Sequence, residues 1–324
     1  MGSQPVTIRP RVVFSRCLTF DHCRYNGQII ASEAVALLKK FCECVTPCPE
    51  VDIGLGVPRE PIRIVRTDTG LRLVQPATGQ DITEKMEEYA HRFLDKLGPV
   101  DGFVLKGRSP SCGLSDVKLF AYAGKSSPLP GKVAGFFGRA VLERFPDSAV
   151  EDEGRLLNFT LREHFLTRIY LSCRFRQLPR TMGALVQFHA ENKLLLLGYN
   201  QTKMRELGRL VANFEHRPVK IVYEAYAKGL AKAVAKPPRP QSAVNVLEHA
   251  LGYFKDRLSP AEKRFSREAI VNYRAGRVPL SVPQTIVRAY IVRFGEEYLA
   301  QQSFFRPYPQ ELALISDSGK GRDL

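Results

Sequence analysis

The sequence predicts an α/β domain built on a doubly wound, mostly parallel sheet, followed by an all-α domain. Over residues 1–155 short apolar runs alternate with helical repeats, the pattern of strands linked by crossover helices. Beyond the polar boundary Glu151-Asp152-Glu153-Gly154 the apolar spacing is helical almost throughout. A chain of 324 residues is also long enough to bury two separate cores. The expected domains are 1–155 and 156–324.

Residues 11–16 read as a buried strand ending at Cys17. Ser32 opens a helix expected over 33–44, in which Val35, Leu38 and Phe41 repeat while Lys39 and Lys40 lie outside. Pro47-Cys48-Pro49-Glu50 then forms a stiff turn, because each proline fixes φ, restrains the residue before it and lacks a backbone donor. Strands over 59–65 and 71–74 flank the turn Asp68-Thr69-Gly70. A helix runs from Asp81-Ile82-Thr83 through Leu97 and is stopped by Gly98-Pro99. Residues 100–106 are the next strand, leading into Ser109-Pro110-Ser111-Cys112-Gly113, and a helix over 131–145 ends at Pro146. In doubly wound sheets the loops at the carboxyl ends of strands build the ligand site. Cys17 and Cys112 both follow strands, so they are expected on that one edge.

In the second half Leu185, Phe188, Asn192 and Leu196 share a helical stripe. Met204, Leu207 and Val211 face inward on the next helix and leave Lys203, Arg205 and Arg209 outside. Lys236-Pro237-Pro238-Arg239-Pro240 is a basic, semi-rigid break. Val244, Leu247, Leu251, Phe254 and Leu258 make an amphipathic helix. Ser259-Pro260-Ala261-Glu262 is a capping box with proline at the first helical position, and Gly276 ends the helix it opens. Ile286 or Val287, Tyr290, Phe294 and Tyr298 carry the last long helix.

Charge separates the halves. Residues 1–150 hold 20 Lys and Arg against 16 Asp and Glu, whereas residues 151–324 hold 28 against 17. An excess of that size in the second half points to a polyanionic partner, with a generally basic domain as the bland alternative. No apolar run approaches a membrane span, and residues 1–10 lack the apolar core of a secretion signal, so the expected location is the cytoplasm without membrane attachment. Gly54-Leu55-Gly56-Val57-Pro58-Arg59 lacks the third glycine of a dinucleotide fingerprint, and Gly131-Lys132 has no preceding P-loop glycines. A nucleotide cofactor is therefore not expected.

Six of the seven cysteines lie in the first 112 residues, an asymmetry that suggests metal or cluster ligation there, with inert buried thiols as the alternative. Two groupings are open: the local Cys42-x-Cys44-x3-Cys48, and the long-range set Cys17, Cys48 and Cys112. The local spacing is not one of the usual zinc pairings.

The long-range set carries a resemblance. Ser15-Arg16-Cys17-Leu18, Cys23-Arg24-Tyr25-Asn26-Gly27, Cys48-Pro49-Glu50-Val51, Gly54-x-Gly56-x-Pro58-Arg59 and Lys106-x-Arg108-Ser109-Pro110-Ser111-Cys112-Gly113 together resemble the thiouracil desulfidase family over residues 1–155. The resemblance implies a 4Fe-4S cluster held by Cys17, Cys48 and Cys112 with one iron open. It also implies a catalytic carboxylate at Glu50 and a catalytic serine at Ser109, with Arg24, Tyr25, Lys106 and Ser111 binding substrate. Arg16 stands where a small residue is usual, and Cys23, Cys42 and Cys44 receive no role. Phe188-His189-x-x-Asn192-Lys193, Leu207-Gly208-Arg209-Leu210-Val211, Gly252-Tyr253-Phe254-Lys255 and Val278-Pro279-Leu280 resemble a helical domain often fused to these desulfidases. Such fusions are associated with removing sulfur from 4-thiouridine in tRNA, which agrees with the charge. The expected function is therefore a non-redox tRNA 4-thiouridine desulfidase. Its phosphate contacts are expected from Lys203, Arg205, Arg209, Lys228, Lys232, Lys236 and Arg239. Free thiouracil or a thionucleotide is the rival substrate, and an iron–sulfur sensor that binds nucleic acid without chemistry is the rival class.

Overall fold

The structure is a computed structural model and describes residues 8–124, 126–314 and 317. The chain forms two compact units that divide after Cys173, with residues 311–314 returning to the first.

The first unit contains β1 (Arg11–Phe14), α1 (Glu33–Phe41), β2 (Glu43–Val45), α2 (Pro49–Asp52), β3 (Arg63–Thr67), β4 (Gly70–Gln75), β5 (Gln80–Asp81) and α3 (Thr83–Lys96). It continues through β6 (Gly102–Leu105), β7 (Val117–Phe120), β8 (Pro128–Val133), α4 (Phe136–Arg144), β9 (Ala149–Asp152) and most of α5 (Phe159–Arg176). Strands β2-β1-β6-β9 form an all-parallel sheet in that order. Val12, Val13, Phe14, Phe103, Val104 and Leu105 are fully buried, as expected for parallel strands covered on both faces. Each such side chain contributes about 1.5–3 kcal/mol of apolar burial. From β1 the chain passes to β2 on one side and later to β6 on the other, so the strand order reverses between β1 and β6. Such a reversal opens a crevice at the carboxyl ends of the strands.

Three boundaries differ from the sequence expectation. Helix α1 stops at Phe41, with Cys42 as its cap, because residues 43–45 pair in parallel with β1; Cys44 is thus a strand residue. Residues 131–133 belong to β8, paired antiparallel with β7, and α4 starts only at Phe136. The division after Cys173 lies beyond 155 because α5 packs on the sheet. A Cβ added at Gly102 of β6 would stand 2.7 Å from Ile169 Cγ2, so only glycine permits that close approach. The two strands expected around Asp68-Thr69-Gly70 form the hairpin β3–β4, which belongs to a second sheet ordered β5-β4-β3-β7-β8, antiparallel except for the β3–β7 pair; β5, β7 and β8 lie outside the sequence expectation.

The second unit is helical: α6 (Met182–Glu191), α7 (Lys193–Tyr199), α8 (Gln201–Ala212), α9 (Val219–Ala233), α10 (Pro240–Gly252), α11 (Pro260–Arg274), α12 (Ser281–Phe294) and α13 (Glu297–Ala300). The Leu185–Leu196 stripe is split at Asn192, whose buried side-chain amide donates to Phe188 O (2.7 Å) and accepts from Ser303 Oγ (2.6 Å). Helix α10 ends at Gly252, although Phe254 and Leu258 stay buried beyond it. The capping box forms as expected, with Glu262 N donating to Ser259 Oγ (3.3 Å) and Ser259 N to Glu262 Oε2 (2.8 Å). Gly295, at φ +61°, stops α12 and puts Tyr298 on α13. Among the described residues no helix is long and apolar enough to cross a membrane.

Candidate active site

Three neighbouring parallel strands end in the three loops that carry the expected ligands. β1 leads to Cys17, β2 to Cys48, and β6 to the loop bearing Cys112. Backbone hydrogen bonds tie these loops together: Arg16 N donates to Pro47 O (2.9 Å) and Ser15 N to Val104 O (3.0 Å). Ser15, itself buried, also accepts from Lys106 N through its hydroxyl (2.9 Å). Cys48 caps the short helix α2, and Asp52 Oδ2 accepts from its N–H (3.2 Å). The same Asp52 oxygen accepts from Tyr89 OH (2.6 Å), and Oδ1 pairs with Arg16 Nη2 (3.0 Å). Arg16 thus braces the Cys48 loop from the position where a small residue was expected.

The thiols of this edge interact. Cys48 Sγ lies 3.9 Å from Cys23 O, and both residues are buried. A hydrogen bond with Cys17, aided by burial, lifts the Cys23 thiol to about 11. Contact with Cys23 and then burial push the Cys48 thiol far above its ordinary value. Burial does the same to Cys112, against the pull of hydrogen bonds from Ser15 and Ser109. Cys23, without a role in the sequence reading, is therefore part of the constellation. Cys44 Sγ instead faces Lys39 O (3.9 Å) and Cys42 O (3.8 Å), so the local Cys42-Cys44-Cys48 grouping gains no support from these contacts.

Glu50, on α2, is held on both oxygens. Oε2 accepts from Arg59 Nε (2.8 Å) and Nη2 (2.6 Å), and Oε1 accepts from Ser111 Oγ (2.9 Å). Ser109 Oγ accepts from Ser111 N (3.2 Å) and Cys112 N (3.1 Å), so its own proton remains to be donated. The expected substrate-binding residues are less uniform. Ser111 is fully buried against Glu50. Lys106 Nζ bonds Glu153 Oε1 (2.5 Å) and Gly107 O (2.6 Å). Arg24 lies over the ring of Tyr25, itself exposed at the surface. Sequence reasoning assigned nothing to Arg59, Asp52 or Tyr89; the one available signal was that Arg59 closes the Gly54-x-Gly56-x-Pro58 motif.

Among the described residues no group of three or more His, Cys, Asp or Glu side chains is arranged around a single metal ion. A cubane cluster makes a different demand, because each thiolate binds a different iron and the ligands need not crowd around one point. Cys17, Cys48 and Cys112 offer soft sulfur donors from three loops on one edge, two of them buried from water. The donor set fits the group.

In the helical unit α8 carries Lys203, Arg205 and Arg209, α9 carries Lys228 and Lys232, and the α9–α10 connection carries Lys236 and Arg239. Lys203 pairs with Glu206 (2.6 Å), while the other six side chains are exposed. His189 Nδ1 is hydrogen-bonded to Tyr226 OH (3.0 Å).

Similarity to known proteins assigns the family. Residues 12–153 match the family described as 2-thiouracil desulfurase. The uncharacterized protein YbbK of Bacillus subtilis (strain 168) is 30% identical over 148 residues, covering 44% of this chain and 98% of that protein. The chain belongs to the 2-thiouracil desulfurase family. The desulfurase match contains every residue of the strand-end site, and the first unit is a desulfidase-type enzyme domain. Residues 193–309 match a family described as a protein of unknown function, DUF1722. The uncharacterized protein YbgA of Escherichia coli (strain K12) is 29% identical over 175 residues, covering 53% of this chain and 95% of that protein. A solved structure, described as the [4Fe-4S]-dependent thiouracil desulfidase TudS, is 26% identical at a TM-score of 0.37, covering 46% of this chain and 93% of that one.

Proposed function

We propose that this desulfurase-family chain is a cytoplasmic tRNA 4-thiouridine desulfidase. It adds water across the C4 thiocarbonyl and releases hydrogen sulfide, leaving uridine. Water supplies the oxygen and both hydrogens, so no electrons are exchanged. The observation that carries the reading is the convergence of the Cys17, Cys48 and Cys112 loops at one sheet edge beside the Glu50 carboxylate. We assign those three cysteines to a 4Fe-4S cluster. Bound there, a cluster with one open iron supplies a soft Lewis acid for the thiocarbonyl sulfur.

The protein side supplies the proton path. Glu50 takes a proton from the attacking water as general base. Ser111 donates to Glu50 and holds it in place, and the free proton of Ser109 is available to the base or to Cys112 sulfur. Burial of Cys48 and Cys112 keeps bulk water from the ligands. The exposed cations of α8, α9 and the α9–α10 connection supply phosphate contacts for tRNA, supported by the net charge of residues 151–324.

Mass spectrometry of nucleosides tests this. Anaerobically reconstituted protein, incubated with thiolated tRNA, is expected to convert 4-thiouridine to uridine. Intact 4-thiouridine alongside an active control would sink the proposal. A second reading, free thiouracil as substrate, has one specific support: every proposed catalytic and cluster residue lies in the first unit. Turnover of the free base but not of tRNA would favour it, and binding without turnover of either would favour the sensor.

A further inference from the structure

We infer that Arg59 is the positioning residue of this site, holding Glu50 so that Oε1 alone is left to take a proton. The inference rests on the reading of Glu50 as general base.

The Gly54-x-Gly56-x-Pro58-Arg59 motif lacks the third glycine of a dinucleotide fingerprint, and its geometry supports another use. Gly54 and Gly56 sit at φ +92° and +73°, conformations that side-chain-bearing residues rarely adopt. They turn the chain back so that Gly56 O accepts from Arg59 Nη1 (2.9 Å). Arg59 N donates to Tyr25 O (2.8 Å), and Nη2 donates to Cys23 O (3.1 Å), which joins the guanidinium to the loop that carries the Cys23 thiol. With its two bonds to Glu50 Oε2, the guanidinium uses four of about five N–H donors while only 4% exposed.

A carboxylate has about four lone-pair positions, two on each oxygen. Arg59 fills both on Oε2, and Ser111 fills one on Oε1. The remaining position is on Oε1, and that atom receives the proton from water. A guanidinium with one edge on a carboxylate and the other on the Cys23 carbonyl also fixes the distance from that atom to the cysteine loops. Lysine cannot reproduce this, because one ammonium cannot aim two donors from separate nitrogens at Oε2 and also reach Cys23 O and Gly56 O.

The test uses the full chain, reconstituted anaerobically, in the variants Arg59→Gln, Arg59→Lys, Arg59→Gly and Glu50→Gln, with 4-thiouridine-containing tRNA as probe, or 4-thiouracil where the unsubstituted chain turns over only the free base. Iron, sulfide and visible absorbance report the cluster independently of turnover. Arg59→Gln is expected to keep its cluster and its KM while kcat falls about 100-fold, the loss typical of a misplaced catalytic group. Millimolar guanidinium is expected to restore part of kcat in Arg59→Gly and none in Glu50→Gln. Arg59→Gln with undiminished kcat, while Glu50→Gln is inactive, overturns the role of Arg59 and leaves Glu50 as base. Full activity in Glu50→Gln overturns the underlying reading instead. Loss of cluster in all three Arg59 variants, unrelieved by guanidinium, makes Arg59 a brace for the ligand loops and also overturns the proposal.

Discussion

The two units place the cationic side chains of the proposed function in opposite settings. In the first, the Arg59 guanidinium is almost completely buried, and its hydrogen bonds run to Glu50, Gly56 and Cys23. In the second, Arg205, Arg209, Lys236 and Arg239 stand exposed on helices and a connection. A proton-transfer group must be fixed to fractions of an ångström, which needs short bonds in a dry setting. A phosphate backbone is a long, repeating anion, and flexible solvated arms suit it because binding comes from released counterions rather than from one geometry. Single substitutions should therefore be severe in the first unit and graded in the second.

The largest effect is expected at the proposed cluster ligands. Cys48→Ser should lose the cluster and all turnover, whereas Cys44→Ala, outside the constellation, should keep its iron content. Iron and sulfide analysis of the two proteins decides between the long-range and local cysteine groupings. Next, Glu50→Gln should retain the cluster and lose about 100- to 10,000-fold in rate, the span of general acid–base catalysis. A mild loss would place the base elsewhere.

Graded effects come from the helical unit. Replacing Arg205, Arg209, Lys236 and Arg239 together by Gln should weaken tRNA binding and lower the slope of log K against log salt by about 0.7–0.9 for each phosphate no longer neutralised. An unchanged slope would break the comparison, since it would leave these arms as ordinary solvated charge. Ser259→Ala removes the hydroxyl half of the capping box and should cost about 1 kcal/mol, read as a small fall in Tm.

The smallest effect concerns pH. Burial, and then the charge of Lys193, hold His189 below the usual histidine range, so its neutral form is the one that the fold accommodates beside Tyr226. That stability is fully present above the unfolded-state value near 6.5 and is lost as pH falls through the lower folded-state value. Thermal melts between pH 7 and pH 5 should show it, and His189→Gln should flatten the dependence.

Much of this was legible along the chain because the signals are local. A strand running into Ser-Pro-Ser-Cys-Gly and a capping box each report their own conformation within a few residues, whereas the proline-bounded Cys48, expected in a turn, caps the short helix α2 because Pro49 suits a first helical position. The residues missed act across distance. Arg59 meets Glu50 and Cys23 only after the loop between them closes, and Asp52 gathers Tyr89 and Arg16 from two other elements. Strand β8 of the second sheet was hidden for a related reason: it contains Pro128, Pro130 and Gly131, so its strand character comes from pairing with β7 rather than from propensity.

By itself the chain therefore determined the alternation of elements, the helical second half, the charge asymmetry and the cysteines to examine, since each depends on residue type and short-range spacing. Tertiary structure alone decided that Cys44 leaves α1 for β2, that Cys23 joins Cys17 and Cys48, and that Arg59 holds Glu50. Those outcomes depend on which strand pairs with which, and strand pairing is a long-range choice that no local pattern encodes.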